Sequence, residues 1–227
     1  MADPAEALAH LDAITRRLRV ECPWDREQDE RTIVPHTVEE AYELADAAHA
    51  GDDAKLADEL GDVLFCVYFL ALLLEERGAG DLGRVAGDLV AKLVRRHPHV
   101  FGDVEAATEA DVRRNWDAIK AGTEGGGLFG DLPQNLPALL HAGKVQRRAQ
   151  RAGYPERHAG EALGDVRRAT ARLLAPQRTE EHRFAEIGAL LYGVVEAARA
   201  LEVDPEVALR VYSEKVRNDI EEAQTDQ

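Results

Sequence analysis

The sequence predicts an all-α protein, and three features of its 227 residues carry this prediction. The helix-favouring residues Ala, Leu, Glu and Arg are abundant, whereas aromatic residues make up only 5% of the chain. Apolar residues recur at helical rather than alternating spacing. Residues typical of helix caps, together with glycine and proline stops, separate these periodic segments. We therefore expect helices throughout.

Charge and composition narrow the class of protein. The chain has 43 acidic and 28 basic residues, a formal charge of −15, so we expect no nucleic-acid polymer as a partner. Cys22 and Cys66 form no CxxC pair, which argues against a disulfide scaffold and favours a reducing cytoplasm. The N-terminal segment lacks an apolar signal core. The longest apolar run, 63–74, is too short to span a bilayer and predicts a buried helix. We therefore expect the protein to have no membrane as a partner.

The first elements follow from spacing and proline positions. Leu8, Leu11, Ile14 and Leu18 predict a helix over residues 4–20. Residues 21–36 contain Pro23 and Pro35 and predict an ordered loop or short turns, because proline disfavours helix interiors. Thr37 is then expected to cap a helix over 38–50, with Glu40 completing a capping box and Gly51 ending the helix.

The next elements have clear caps. Asp52 or Asp53 is expected to begin a long helix that runs to residue 77 and ends at Gly78. A helix over 81–96 should stop before Pro98, and another should begin at Thr108. Further helices are predicted over 133–152, 161–174, 179–201 and 205–224.

The chain is expected to contain two helical domains. Residues 122–132 are rich in glycine and predict a linker between a catalytic helical domain, 1–121, and a second domain, 133–227. Residues 186–201 weakly match residues 59–74, so the second domain is interpreted as a degenerate repeat of the first.

Two acidic motifs lie on consecutive predicted helices: EEAYE, residues 39–43, and ELGD, residues 59–62. Residues three apart share a helix face, so Glu40 pairs with Glu43 and Glu59 with Asp62. A helical hairpin would gather these four carboxylates at the edge of the core, where their repulsion favours a divalent cation. An all-oxygen set suits Mg²⁺ or Mn²⁺, whereas zinc would want a nearby His or Cys. The alternative is a solvated acidic face.

With these motifs the sequence resembles the MazG-type nucleoside triphosphate pyrophosphohydrolases. The EExxE…ExxD signature is accompanied by CPWD at 22–25, TIVPHTVEE at 32–40, KLVRRHPHVFGD at 92–103 and NWDAIK at 115–120. The resemblance is strong over residues 1–125 and weaker beyond. It implies a helical bundle of the all-α NTP pyrophosphatase type and Mg²⁺-dependent hydrolysis of a nucleoside triphosphate to the monophosphate and pyrophosphate.

The resemblance also assigns roles. Metal ligands would be Glu40, Glu43, Glu59 and Asp62, and Glu39 would orient or deprotonate the attacking water. Lys55, Lys92 and Arg96 match basic positions that hold phosphates. Arg95 completes a dense basic cluster with Lys92 and Arg96 on the helix that follows the ELGD helix. Trp116 and Lys120 match an element near the nucleotide. Trp24 remains open between base stacking and packing.

The second domain departs from the family pattern. Its EExxE positions fall near Arg167, Arg168 and Ala171, and its ExxD positions fall on Glu186 and Ala189. With one ligand left, this half is predicted to be catalytically inactive.

Three functions remain open at this stage. The first is a nucleotide-pool housecleaning enzyme. The second is a narrower dUTPase-like or phosphoribosyl-ATP-type hydrolase. The third is a non-catalytic helical dimerisation module. In each case the apolar helix at 63–74 predicts a homodimer or a higher oligomer, because it is apolar on all sides.

Overall fold

The computed structural model describes residues 3–108, 111–112, 115–116, 119, 129, 132–133, 135–175 and 179–225. Every regular element in these ranges is a helix, which confirms the all-α prediction. The chain divides into two compact units, Met1–Ala107 and Thr108–Gln227. Lys120 and most of the glycine-rich segment 122–132 lie outside the described residues, so the linker and the boundaries 1–121 and 133–227 stay predictions.

The first unit is built around a helical hairpin. Its helices are α1 (Pro4–Glu21), α2 (Pro23–Arg26), α3 (Glu30–Ala50), α4 (Asp53–Glu76), α5 (Leu82–Arg96) and α6 (Pro98–Phe101). Helices α3 and α4 form the hairpin, and Ile33 packs on Phe69 and Leu73 in its core. Asp52 caps α4 by accepting from the backbone N–H groups of Ala54 and Lys55. Gly51 takes a φ of 70° to end α3.

One sequence expectation is wrong here: α3 begins at Glu30, not after Thr37. Asp29 is the cap, because its Oδ1 accepts from the backbone N–H groups of Arg31 (2.8 Å) and Thr32 (3.0 Å). Thr32 returns the contact, since its hydroxyl accepts from the Asp29 N–H and closes a capping box. Pro35 therefore lies inside the helix.

A proline inside a helix removes the hydrogen bond to the carbonyl four residues earlier and crowds that carbonyl. Tertiary packing of the surrounding turns holds the helix together here. Ile33 is 2% exposed and is anchored in the core two residues before Pro35. Thr37 is an interior residue whose hydroxyl donates to the Ile33 carbonyl.

Arg19 joins three helices of the first unit. Its guanidinium forms two hydrogen bonds to the Glu76 carboxylate on α4, at 2.8 and 2.9 Å. Its Nη1 also donates to the backbone carbonyls of Asp25, Arg26 and Gln28, at the end of α2. The same guanidinium lies over the Phe69 ring. This side chain fixes the short segment between α1 and α3.

The second unit contains its own hairpin. Its long helices are α7 (Ala138–Arg151), α8 (Ala159–Leu173), α9 (Glu180–Ala200) and α10 (Pro205–Thr225). Helices α8 and α9 pack closely at Gly193, where an added Cβ would lie only 3.1 Å from a Val166 methyl group. Across both units, no described helix is both long and apolar enough to cross a membrane.

Candidate functional site

The hairpin of the first unit brings three carboxylates together. Glu40 and Glu43 share one face of α3, and Glu59 faces them from α4. One carboxylate oxygen from each lies within 4.8 Å of the other two. Glu59 is only 4% exposed, and the two α3 residues are half-buried. We call Glu40, Glu43 and Glu59 the carboxylate cluster.

The cluster is electrostatically strained. Partial burial raises the pKa of Glu40 above its usual range, and the charges of Asp62, Glu43, Glu59 and Glu39 raise it further. Asp62 is thus close enough to act on Glu40, but it lies outside the three converging groups and is exposed. A cation placed among these oxygens would relieve the repulsion.

Lys55 is the basic residue in direct contact with the cluster. It lies one turn before Glu59 on α4, and its Nζ donates to Glu59 Oε1 at 2.8 Å. This hydrogen bond raises the pKa of the Lys55 ammonium group, with the nearby carboxylate charges adding to it. Lys55 therefore stands charged beside the carboxylate cluster.

His36 lies beside the exposed carboxylate of Glu39, and Trp24 packs against His36. Glu39 Oε2 is 3.6 Å from Nδ1 of His36, one turn earlier on α3. The His36 ring packs edge-on against Trp24, with centroids 5.9 Å apart, and Trp24 remains 51% exposed. The sequence prediction missed His36, because its position three residues before Glu39 on the same helix becomes visible only when α3 begins at Glu30.

A thiol lies behind the cluster. Cys66 is 6% exposed, and burial raises the pKa of its thiol. The charges of Glu40 and Asp62 raise this pKa further, whereas a hydrogen bond with the side chain of Thr37 lowers it. Among the described residues the converging ligand atoms are carboxylate oxygens only, so Cys66 does not join the ligand set.

The remaining predicted site residues that the structure describes belong to other elements than the hairpin that carries the cluster. Lys92, Arg95 and Arg96 lie in the last two turns of α5, which packs on α4. Within the described part of the chain, Lys92 and Arg95 form no ion pair with the cluster carboxylates. Trp116 belongs to the second unit, where the Arg151 guanidinium lies 5.7 Å from its ring centroid.

Comparison with known proteins places this site in context. Residues 28–101, which contain the whole carboxylate cluster, match the family described as the MazG nucleotide pyrophosphohydrolase domain. The chain is 37% identical to a nucleoside triphosphate pyrophosphohydrolase of Escherichia coli K12 over 86% of its length and 77% of the relative's. It is 37% identical to a nucleoside triphosphate pyrophosphohydrolase/pyrophosphatase MazG of Thermotoga maritima, over 86% of this chain and 75% of the relative. An uncharacterized 26.1 kDa protein of Streptomyces cacaoi is 36% identical over 97% of this chain and 84% of its own length.

Proposed function

The chain belongs to the MazG family of nucleotide pyrophosphohydrolases, and we propose that it hydrolyses nucleoside triphosphates between the α- and β-phosphates. The products are a nucleoside monophosphate and pyrophosphate. The observation that carries the proposal is the convergence of Glu40, Glu43 and Glu59 within 4.8 Å. Three carboxylates at this spacing repel one another unless a cation joins them.

Mg²⁺ is the proposed cofactor, with Mn²⁺ as a substitute. The converging atoms are hard carboxylate oxygens, which both ions prefer. Glu40, Glu43 and Glu59 would hold the ion, joined by Asp62, whose charge already acts on Glu40. When bound, such an ion neutralises phosphate charge and lowers the pKa of a bound water.

The chain's own residues supply positioning and proton transfer. Glu39 is exposed beside the cluster and is proposed to accept the proton of the attacking water. That water adds to phosphorus as the bond between this phosphorus and the oxygen that bridges the α- and β-phosphates breaks. Lys55, already charged at the site, is proposed to hold a phosphate, together with Lys92, Arg95 and Arg96 of α5. Trp116 and Lys120 keep the predicted role near the nucleotide.

We propose that the protein acts in the cytoplasm as a homodimer, and that nucleotide-pool housecleaning is its role. Val85, Leu89 and Leu93 form an exposed apolar stripe along α5, and Val67 of α4 is 39% exposed. A second copy that covers such side chains gains hydrophobic free energy. Sedimentation equilibrium should therefore give a dimer mass; an active 25 kDa monomer at micromolar concentration would contradict this.

Two alternatives remain distinguishable. A narrower dUTPase-like or phosphoribosyl-ATP-type hydrolase would act on one substrate class only, and a non-catalytic dimerisation module would release no pyrophosphate. The test measures pyrophosphate release from the eight common nucleotides, with Mg²⁺ and with chelator. Several active substrates with Mg²⁺ and none with chelator support the proposal. No pyrophosphate release from any nucleotide would exclude it.

A further inference from the structure

Helix α7 of the second unit is basic on one face in an acidic protein. Its residues Lys144, Arg147, Arg148 and Arg151 follow the spacing three, four and seven along the helix, so they form one stripe. None of its 14 residues is acidic, although the whole chain carries a charge of −15. We call these four residues the α7 stripe.

Arg199 of α9 packs against α7 and is held by neutral acceptors. Its Nη1 donates to Gln146 Oε1 at 3.1 Å, and its Nη2 donates to Gln150 Oε1 at 2.7 Å. Gln146 is 4% exposed and is itself fixed, because its Nε2 donates to the Tyr192 carbonyl at 2.9 Å. The guanidinium is therefore oriented without being neutralised.

This arrangement differs from that of other fixed arginines in the described chain. Arg16, Arg19, Arg157 and Arg172 are each bound by at least one carboxylate. For Arg199 the described residues provide no carboxylate within ion-pair distance. The charges of Glu156 and Glu196 reach Arg199 from beyond ion-pair distance, and Glu196 is already bound to Arg157 at 2.9 Å. A charge fixed in this way is available for an external anion.

A second guanidinium lies next to Arg199. At buried Gly143, a Cβ would lie 3.5 Å from Arg147 Nη1 and 3.7 Å from Arg199 Cδ, so the two side chains approach over this glycine. Burial lowers the pKa of Arg199, and the charge of Arg147 lowers it further. Two neighbouring guanidinium groups with partial desolvation are stabilised by a shared anion, which accepts hydrogen bonds from both.

We propose that Arg199 and Arg147, one residue of the α7 stripe, bind a phosphate-type anion on the second unit. The ligand is inorganic phosphate, pyrophosphate or the phosphoryl group of a nucleotide. Guanidinium groups match the tetrahedral oxygens of such ligands and bind them through paired hydrogen bonds. The site lies apart from the carboxylate cluster in the chain and needs no metal, so it stands independently of the proposed reaction.

The test is isothermal titration calorimetry of the full-length protein with inorganic pyrophosphate, in metal-free buffer at low ionic strength. We expect saturable binding that weakens as NaCl is added. Arg199→Gln and Arg147→Gln are each expected to weaken binding at least tenfold. Arg147 is exposed, so we expect Arg147→Gln to fold even if Arg199→Gln does not fold. Arg183→Gln is the matched control, because Arg183 is an exposed arginine on the same helix, α9, as Arg199.

The outcomes separate the possibilities. Control binding within twofold of wild type, with tenfold losses at Arg199 and Arg147, supports the site. Separate titrations with inorganic phosphate and a nucleoside monophosphate identify the source of the anion by the tighter Kd. Absence of binding at millimolar pyrophosphate would overturn the proposal. Equal weakening in the Arg183→Gln control, or unchanged binding in either Arg199→Gln or Arg147→Gln, would overturn it as well.

Discussion

At the scale of single residues, the raised pKa of Glu40 reflects partial burial and the repulsion within the carboxylate cluster. Its pKa is raised in the folded protein, so the metal-free folded state holds this proton more tightly than the unfolded chain does. The stabilising contribution is complete below the ordinary glutamate pKa of about 4.3 and is lost as pH rises through the higher folded pKa.

We therefore expect Glu40→Gln to raise the thermal unfolding midpoint of metal-free protein at pH 7. The gain should shrink as the pH falls and disappear near pH 3, well below the ordinary glutamate pKa of about 4.3, where Glu40 is protonated in both states. Circular dichroism melts over this pH range measure it. A lower midpoint for Glu40→Gln at pH 7 would contradict the repulsion argument.

Glu43 tests the catalytic role of the cluster. Glu43→Gln keeps the shape of the side chain but removes one charge, so pyrophosphate release should fall at least ~100-fold, because a bound metal ion supplies several kcal/mol of transition-state stabilisation. Asp58→Asn is the matched control, since Asp58 is exposed on α4 next to Glu59. Equal activity of the two variants would argue against the metal assignment.

The sequence predicts part of this site and misses part for a physical reason. Residues three apart share a helix face, so the EExxE and ExxD motifs indicate carboxylate pairs directly. Cys66 lies four residues after Asp62 on α4 and shares its helix face, but its approach to Glu40 requires the packing of α3 on α4. Trp24 meets His36 only through tertiary packing, which no spacing along the chain records.

At the scale of elements, Arg19 holds α1, α2 and α4 together. Arg19→Met removes hydrogen bonds to Glu76 and to three backbone carbonyls, so we expect a loss of about 2 kcal/mol in the free energy of unfolding. Arg17→Met is the control; its exposed ion pair with Glu21 is worth less than about 0.5 kcal/mol. Denaturant unfolding followed by Trp24 fluorescence, in a Trp116→Phe background, measures the first unit. Equal losses in both variants would contradict the role of Arg19.

The start of α3 shows where sequence reasoning fails. Thr37 and Glu40 offer the pattern of a capping box, but so do Asp29 and Thr32, and packing of Ile33 in the core decides for the earlier pair. A proline inside the helix carries a cost, and burial of the Ile33 side chain offsets part of it. The helix ends at Gly51 and Gly78 were predictable because their backbone conformation favours glycine.

Asp29→Ala tests this assignment. It is expected to lower the free energy of unfolding of the first unit by about 1 kcal/mol, the usual cost of losing an N-cap. Thr37→Ala should cost less, since it removes only a bond to the Ile33 carbonyl inside the helix. The same denaturant titration compares them, and a larger loss from Thr37→Ala would reverse the assignment.

At the scale of the whole molecule, the two units neutralise carboxylates differently. In the α8–α9 hairpin, Arg172 donates to Glu186 at 2.6 Å, and Arg157 and Arg168 both bind Asp165. In the α3–α4 hairpin, the carboxylates face one another instead. A hairpin with built-in guanidinium groups has these carboxylates neutralised without a divalent cation; the catalytic inactivity of the second unit stays a prediction.

The central claim is that a metal-dependent reaction occurs at the carboxylate cluster of the first unit. The most direct test compares pyrophosphate release by Glu59→Gln and Glu186→Gln, with Mg²⁺ and a saturating nucleoside triphosphate, after circular dichroism confirms that both fold. The account predicts a loss of at least ~100-fold for Glu59→Gln and a rate within a few-fold of wild type for Glu186→Gln. Comparable losses in both variants, or near-normal turnover in Glu59→Gln, would contradict it.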